Sequence, residues 1–218
     1  MDESGCIEFF KKSGMVSNVK MKTIKDWIPF FLKKVPQEIT QTRWEHCLRV
    51  ANHAEKLANI HKLENPKKAY LAGILHDITK QKKYDFHISL FETVGFPNWK
   101  EIPKEAYHAF TAPIFIQKEF GFSDEEVFSA MQCHTLGGKN LTLIQKILYA
   151  SDFLGSEYAE KQDRFKEWKE KTEENLEFGV YLKASKTIAN LMETESTIHP
   201  YTIETYNQTI PNLNFGKK

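Results

Sequence analysis

Leu71-Ala72-Gly73-Ile74-Leu75 is an apolar run that ends directly on His76 and Asp77, with Ile78, Thr79 and Lys80 after them. A chain that puts an imidazole and a carboxylate at the end of an apolar helix must bury both. A buried carboxylate is costly unless a cation, hydrogen-bond donors or a proton accompanies it. Asn65-Pro66 reads as the start of that helix, with an asparagine N-cap and proline at the first helical position, where a missing N–H leaves nothing unpaired. Ala69, Ala72, Gly73 and His76 share one face at helical spacing, and their small side chains admit a closely packed neighbour. Imidazole nitrogen and carboxylate oxygen together suit a divalent metal, and one carboxylate has two oxygens to share between two ions. Lys80, one turn on, reaches the same cavity if the helix continues. Taken alone, the pair fits equally well an Asp that closes a helix and a His that packs against it.

The chain has 218 residues, enough for one domain with a full core. Lys plus Arg number 30 against 29 for Asp plus Glu, a net charge of +1, which gives no support to nucleic-acid binding or to an acidic partner. Cys6, Cys47 and Cys133 are odd in number and far apart, so no disulfide framework is expected and a cytoplasmic location is. Asp2 and Glu3 do not match the basic-then-apolar order of a signal peptide. Apolar runs such as Ile28 to Leu32 are too short for a bilayer, so no membrane is expected as a partner.

Every periodic segment reads as helix, and the expected fold class is all-α. Residues 1–36 form an N-terminal extension, partly helical: Met1 to Lys20 has no period, while Lys22 to Val35 carries Trp27, Phe30 and Phe31 around Pro29. Those aromatic residues suit a core or a partner subunit. The main domain spans 37–210, with a tail over 211–218. Its helices are expected over Gln37 to His61, from Pro66 through the His-Asp pair, Asp85 to Val94 and Pro103 to Phe120, with a bend at Pro113 leaving His108 near a break. Ser123 and Glu126 are spaced as a capping box for a helix ending at His134, and Thr142 starts one leading to Asp152. The charged stretch from Ser156 to Glu177 reads as a solvated face, Tyr181 to Met192 as amphipathic, and Pro200 to Asn207 as a short last helix.

His46, His76, Asp77, His108, His134 and Asp152 thus fall at or near the ends or breaks of five separate helices. A lone histidine on an apolar face is ordinarily a packed core residue. Six such groups at helix ends are a different matter, because helical bundles build metal sites from inward side chains of several helices. Four imidazoles and two carboxylates suffice for two metals with positions open to water and substrate. His61 and His87 are read as surface residues. His53, two turns from His46, is read as core packing or a donor behind a ligand. Cys47 and Cys133 adjoin ligand candidates but point about 100° away on their helices.

The order H … HD … H … H … D resembles the HD-domain superfamily of metal-dependent phosphohydrolases. More narrowly, Arg43-Trp44-Glu45-His46, Leu75-His76-Asp77-Ile78-Thr79-Lys80, His134-Thr135-Leu136-Gly137 and Ile198-His199-Pro200-Tyr201-Thr202 with Tyr206-Asn207 resemble the symmetrical diadenosine tetraphosphate hydrolases of YqeK type. The likeness runs from about Arg43 to Asn207, with three departures. His108-Ala109-Phe110 stands where the family tends to His-Gly-Pro, and Gly138 precedes Lys139 where another basic residue is common. Phe153-Leu154-Gly155-Ser156-Glu157 replaces an acidic-proline-arginine turn, leaving Arg164 as the nearest candidate for the missing arginine.

The resemblance implies an HD-domain helical bundle around two divalent metal ions, iron foremost, with manganese or others suiting the same ligands. It assigns His46, His76, Asp77 and Asp152 to one ion, with Asp77 bridging to a second held by His108 and His134. It implies cleavage of diadenosine tetraphosphate to two ADP by attack of a metal-bound hydroxide. Asp77 and Lys80 are the catalytic candidates; Arg43, Lys80, His108, Thr135, Gly137 and Lys139 are the substrate-binding ones. The implied partner is a small-molecule dinucleoside polyphosphate or another nucleotide, with a homodimer open. The alternatives are another HD-type phosphohydrolase acting on a nucleotide or guanosine alarmone, and a nucleotide-binding module without turnover.

Overall fold

Caps and prolines divide the chain into short helices that stack around the apolar run at Leu71. The computed structural model describes residues 23–213; the extension read for 1–20, with Cys6, and the tail from 214 lie outside them. All regular structure among the described residues is helical. The α-helices are α1 (Ile24–Lys34), α2 (Gln41–Ile60), α3 (Pro66–Leu75), α4 (Tyr84–Val94), α5 (Tyr107–Phe120), α6 (Glu125–Cys133), α7 (Leu143–Leu154), α8 (Glu157–Glu160), α9 (Phe165–Glu174), α10 (Leu176–Glu193) and α11 (Pro200–Thr209).

The pair α2–α3 forms the centre, with α7 packed across both. Gly73 permits the contact: a Cβ there would lie 2.5 Å from the Cα of Ala51 and 2.7 Å from its nitrogen. The expected thin face of α3 is therefore present, and it lies against backbone. On the far side, α1 is capped by Thr23 with Asp26 and carries Pro29 inside it without ending. Its Phe31 is fully buried, with ring centroids 5.6 Å from both Phe120 and Phe122. Trp27 and Phe31 belong to the same core as α2 and α3.

Several boundaries differ from the sequence reading. Helix α2 begins at Gln41, because Thr40 caps it after a 3₁₀ turn over Val35–Gln37. Asp124, not Ser123, caps α6, accepting from the backbone N–H of Val127 at 3.0 Å. Pro113 makes no break: α5 runs unbroken from Tyr107, and every residue from Tyr107 to Ile116 is buried. Packing around the helix outweighs the lost backbone bond, and His108 sits in the first turn of α5. Helix α10 begins at Leu176, with Asn175 as its cap. In the charged stretch, Trp168 is buried against Phe153, at 5.7 Å between centroids.

Neither of the two histidines read as surface residues is fully exposed. His61 is half-buried, with Nε2 3.3 Å from the carbonyl of Thr172. His87 is buried on the inner face of α4, its Nδ1 2.8 Å from Thr111 Oγ1. Burial lowers its pKa, which keeps the ring neutral. Its spacing to Leu90, Phe91 and Val94 put it on an apolar stripe that the polar neighbours concealed.

His53 is half-buried two turns from His46 on α2, edge-on to Phe165. Burial and the nearby Lys169 and Lys56 lower its pKa to about 4. The unfolded chain, with a pKa near 6.5, therefore binds the proton more tightly. Stability from the neutral ring is complete above pH 6.5 and declines as the pH falls toward 4. His53→Gln is expected to reduce the loss of unfolding free energy between pH 7 and pH 5 by about 1 kcal/mol, allowing for partial exposure, in paired denaturant titrations. Gly73→Ala must push α2 and α3 apart; a loss of about 1–3 kcal/mol or more in unfolding free energy is expected by thermal or urea melts.

Candidate metal centre

Six side chains from five separate stretches meet at the inner ends of these helices. His46 comes from α2, His76 and Asp77 from the turn that ends α3, His108 from the start of α5, His134 from the end of α6 and Asp152 from the last turn of α7. The four histidines and Asp77 are buried. Asp152 is held more openly, with its side chain 21% exposed.

Backbone carbonyls fix three of the rings. Nδ1 of His46 faces the carbonyl of Gly155 at 3.1 Å, that of His76 the carbonyl of Gly73 at 2.8 Å, and that of His134 the carbonyl of Met131 at 2.6 Å. A carbonyl only accepts, so each Nδ1 carries a hydrogen and each neutral ring presents a bare Nε2 lone pair. Those lone pairs face one another. Nε2 of His46 and His76 are 3.3 Å apart, and Nε2 of His108 and His134 are 3.1 Å apart. Asp77 adds Oδ2 at 3.4 Å from His76 and 3.8 Å from His46, and Oδ1 at 3.3 Å from His108 and 3.6 Å from His134. Asp77 Oδ1 has no hydrogen-bond partner, although it is buried.

Lone pairs crowded this closely, with fewer donors than acceptors around them, favour cations. Two ligands bound at about 2.0–2.2 Å with angles of 90–110° lie about 3.0–3.5 Å apart, the spacing seen among these atoms. His46, His76 and Asp77 form one group able to hold an ion, and Asp77, His108 and His134 a second. Asp152 Oδ1 closes the first group, 3.1 Å from His46 Nε2 and 3.4 Å from His76 Nε2. The donor set of the chain therefore fits two divalent ions that share Asp77.

The protein's own charges tell the same story. Burial alone raises Asp77, but His76, His134 and His108 outweigh it and hold the carboxyl well below its usual range. Burial lowers His76, yet Asp77 and Asp152 push it up to about 10. A proton takes the position between carboxylates that a metal is suited to fill. His108 and His134 are lowered by burial, which leaves them neutral and fit to ligate.

No motif in the sequence marks Lys183. Buried on α10, it bonds Asp152 Oδ2 at 2.6 Å and the carbonyl of His134, with Nζ 4.4 Å from the Tyr149 ring centre. It ties the two donor groups together and turns Asp152 Oδ1 toward the histidines. Arg164, the expected stand-in for the missing arginine, instead pairs with Glu167 at 2.8 Å on the exposed face of α9. A lysine on an apolar helix face was the signal available in the sequence, and the flanking Tyr181 and Lys186 masked it.

The remaining site candidates divide. Arg43 reaches Asp77 Oδ2 at 3.1 Å with its side chain 34% exposed. Lys80 lies past the end of α3 in a tight turn, and its Nζ reaches His108 Nε2 at 3.2 Å. Thr135 Oγ1 is 3.0 Å from His134 Nε2 and 3.2 Å from His108 Nε2. Gly137, at φ +79, faces α11: a Cβ there would meet Thr205 Oγ1 at 2.1 Å. Lys139 is exposed in the following turn. The His199-Pro200-Tyr201-Thr202 stretch caps α11, whose Thr202 Oγ1 bonds the carbonyl of Leu136 at 3.0 Å while Thr205 Oγ1 accepts from Gly138 N–H at 2.9 Å. The motif thus clamps the turn behind His134.

The HD domain profile matches residues 43–190, a span that contains all six donors. The chain belongs to the HD domain family. With the donor cluster, membership makes it an HD-domain metal-dependent phosphohydrolase. The chain is 27% identical over 183 residues to the symmetrical bis(5'-nucleosyl)-tetraphosphatase of Halalkalibacterium halodurans, covering 82% of this chain and 95% of that protein. To the Bacillus subtilis protein of the same description it is 28% identical over 174 residues, 79% of this chain and 92% of that one. A crystal structure described as a predicted HD superfamily hydrolase involved in NAD metabolism, from Clostridium acetobutylicum, superposes with a TM-score of 0.76 at 26% identity, over 89% of this chain and all of that one. Among the described residues, no helix of this HD domain is long and apolar enough to cross a membrane.

Asp77→Ala removes the ligand common to both groups; metal analysis should show both ions lost, with helical circular dichroism retained. Lys183→Met should leave Asp152 free to turn and weaken metal binding about 10–100-fold in chelator competition.

Proposed function

We propose that this HD domain cleaves dinucleoside tetraphosphates symmetrically, with diadenosine tetraphosphate giving two ADP, and that iron is its foremost metal. The observation that carries the reading is the sharing of Asp77 between two donor groups, flanked by Lys80 and Arg43. A polyphosphate bridge matches that charge pattern, and the relatives over most of the chain are symmetrical tetraphosphatases. Divalent ions held by His46, His76, Asp77, His108, His134 and Asp152 supply Lewis-acid activation of water and of a phosphoryl oxygen.

The chain's own groups do the rest. Lys80 carries positive charge to the edge of the second donor group, where charge builds on the non-bridging oxygens in the transition state. Burial lowers its pKa, and the neighbouring Asp77 and Asp152 oppose that shift. Arg43 spends one N–H on Asp77, and its remaining donors suit an adjacent phosphate. Thr135 offers a hydroxyl beside His108 and His134 for an oxygen lying there. In the balanced reaction, water gives its oxygen to one central phosphorus as the bond from that phosphorus to the central bridging oxygen breaks. The bridging oxygen leaves with the other half, each half is an ADP, and the released protons pass to solvent.

Incubation of metal-analysed protein with diadenosine tetraphosphate in ¹⁸O-water is expected to yield ADP alone, with label in half of it. AMP with ATP, or no cleavage, overturns the reading. Lys80→Met should keep its metals and lose about 10²–10³-fold in kcat by product chromatography.

A further inference from the structure

A cavity of about 310 Å³ opens beside the second donor group, with His108 and Lys80 in its wall together with Lys82, Tyr84, Lys104 and Tyr107. That volume lies at the small end of the range for ligand pockets. Its two tyrosines form a platform: their centroids are 5.9 Å apart at an interplanar angle of 27°. Tyr107 is buried and held from behind by Phe91 at 5.2 Å and Trp99 at 6.2 Å, whereas Tyr84 is 47% exposed. The platform is thus rigid on one side and open on the other.

On Tyr84 lies the ammonium of Lys104, 4.9 Å from the ring centre. A cation on an exposed ring is held weakly, and a planar base can replace it there while the ammonium turns to a phosphate. Lys82 is tied to Glu38 at 2.7 Å, which leaves Lys104 and Lys80 as the cations available to an anion. Glu105, the acid in the lining, repels phosphate and suits ribose hydroxyls.

Resting on the tetraphosphatase reading, we propose that this cavity is the subsite for one nucleoside diphosphate half of the substrate. The base stacks on Tyr84, and the phosphates run past Lys104 and Lys80 toward His108. Aromatic stacking is tolerant of base identity, so affinity from Tyr84 is general to purines, and the number of phosphates is read by the two lysines.

The test is calorimetric titration of ADP and of adenosine into metal-analysed wild type, Tyr84→Ala, Tyr84→Phe and Lys104→Met. Wild type is expected to bind ADP. Tyr84→Ala should weaken ADP and adenosine alike by about 5–100-fold, and Tyr84→Phe should restore both. Lys104→Met should weaken ADP and spare adenosine, with metal content unchanged throughout. In diadenosine tetraphosphate assays, Tyr84→Ala should raise KM far more than it lowers kcat. Cleavage to two ADP with equal ADP affinity in wild type and Tyr84→Ala, or no ADP binding by wild type, overturns the subsite and leaves the tetraphosphatase reading intact. ADP affinity lost in Tyr84→Ala and regained in Tyr84→Phe, without cleavage of the tetraphosphate, upholds the nucleotide subsite and removes the tetraphosphatase.

Discussion

The crowding of four imidazoles around one buried carboxylate is the constraint on which this molecule is built. Three carbonyls hold three rings so that their lone pairs face inward, and the carboxylate between them has an oxygen with nothing to accept from. Such an assembly is unfavourable by itself and becomes favourable only around cations. The helical scaffold must therefore supply the stability that the site consumes. It does so with dense packing: Phe31, Ile74, Leu75 and Ile147 are fully buried around the centre, and α3 touches the backbone of α2 at Gly73.

His76 and His134 are oriented by carbonyls of their own helices, and the other ligands draw on neighbouring elements. His46 needs the carbonyl of Gly155, which lies past the end of α7 beside Asp152, so one helix terminus serves both residues. Thr79, two residues beyond Asp77, bonds the carbonyl of His108 at 3.2 Å, and its Oγ1 also lies 3.2 Å from Thr111 Oγ1, which meets His87. Through that buried polar chain, the segment bearing the shared carboxylate is registered against α5. Lys183 does the equivalent for Asp152 and the carbonyl of His134.

Much of this is legible in the sequence. All-α architecture, the thin face of α3 and the six donors followed from local pattern, because small residues at helical spacing and polar residues at helix ends are sequence-near signals. What could not be read depends on contacts between segments far apart in the chain. Lys183 looks like one more lysine until α10 is laid across α7, 31 residues away from Asp152. His87 looks polar until α5 covers it. The expectation of a break at Pro113 failed because burial on every side of α5 is a tertiary property. Arg164 was proposed on proximity in sequence, and the geometry of α9 sends it to solvent.

The clamp made by Thr202 and Thr205 has a bearing on biogenesis. The turn that follows His134 is secured by the last of the described helices, about 65 residues downstream. Until that stretch docks, the turn behind His134 lacks both of its threonine contacts. Completion of the donor cluster is therefore a late, non-local event in folding, set by the docking of α11 rather than by the helix that carries the ligand.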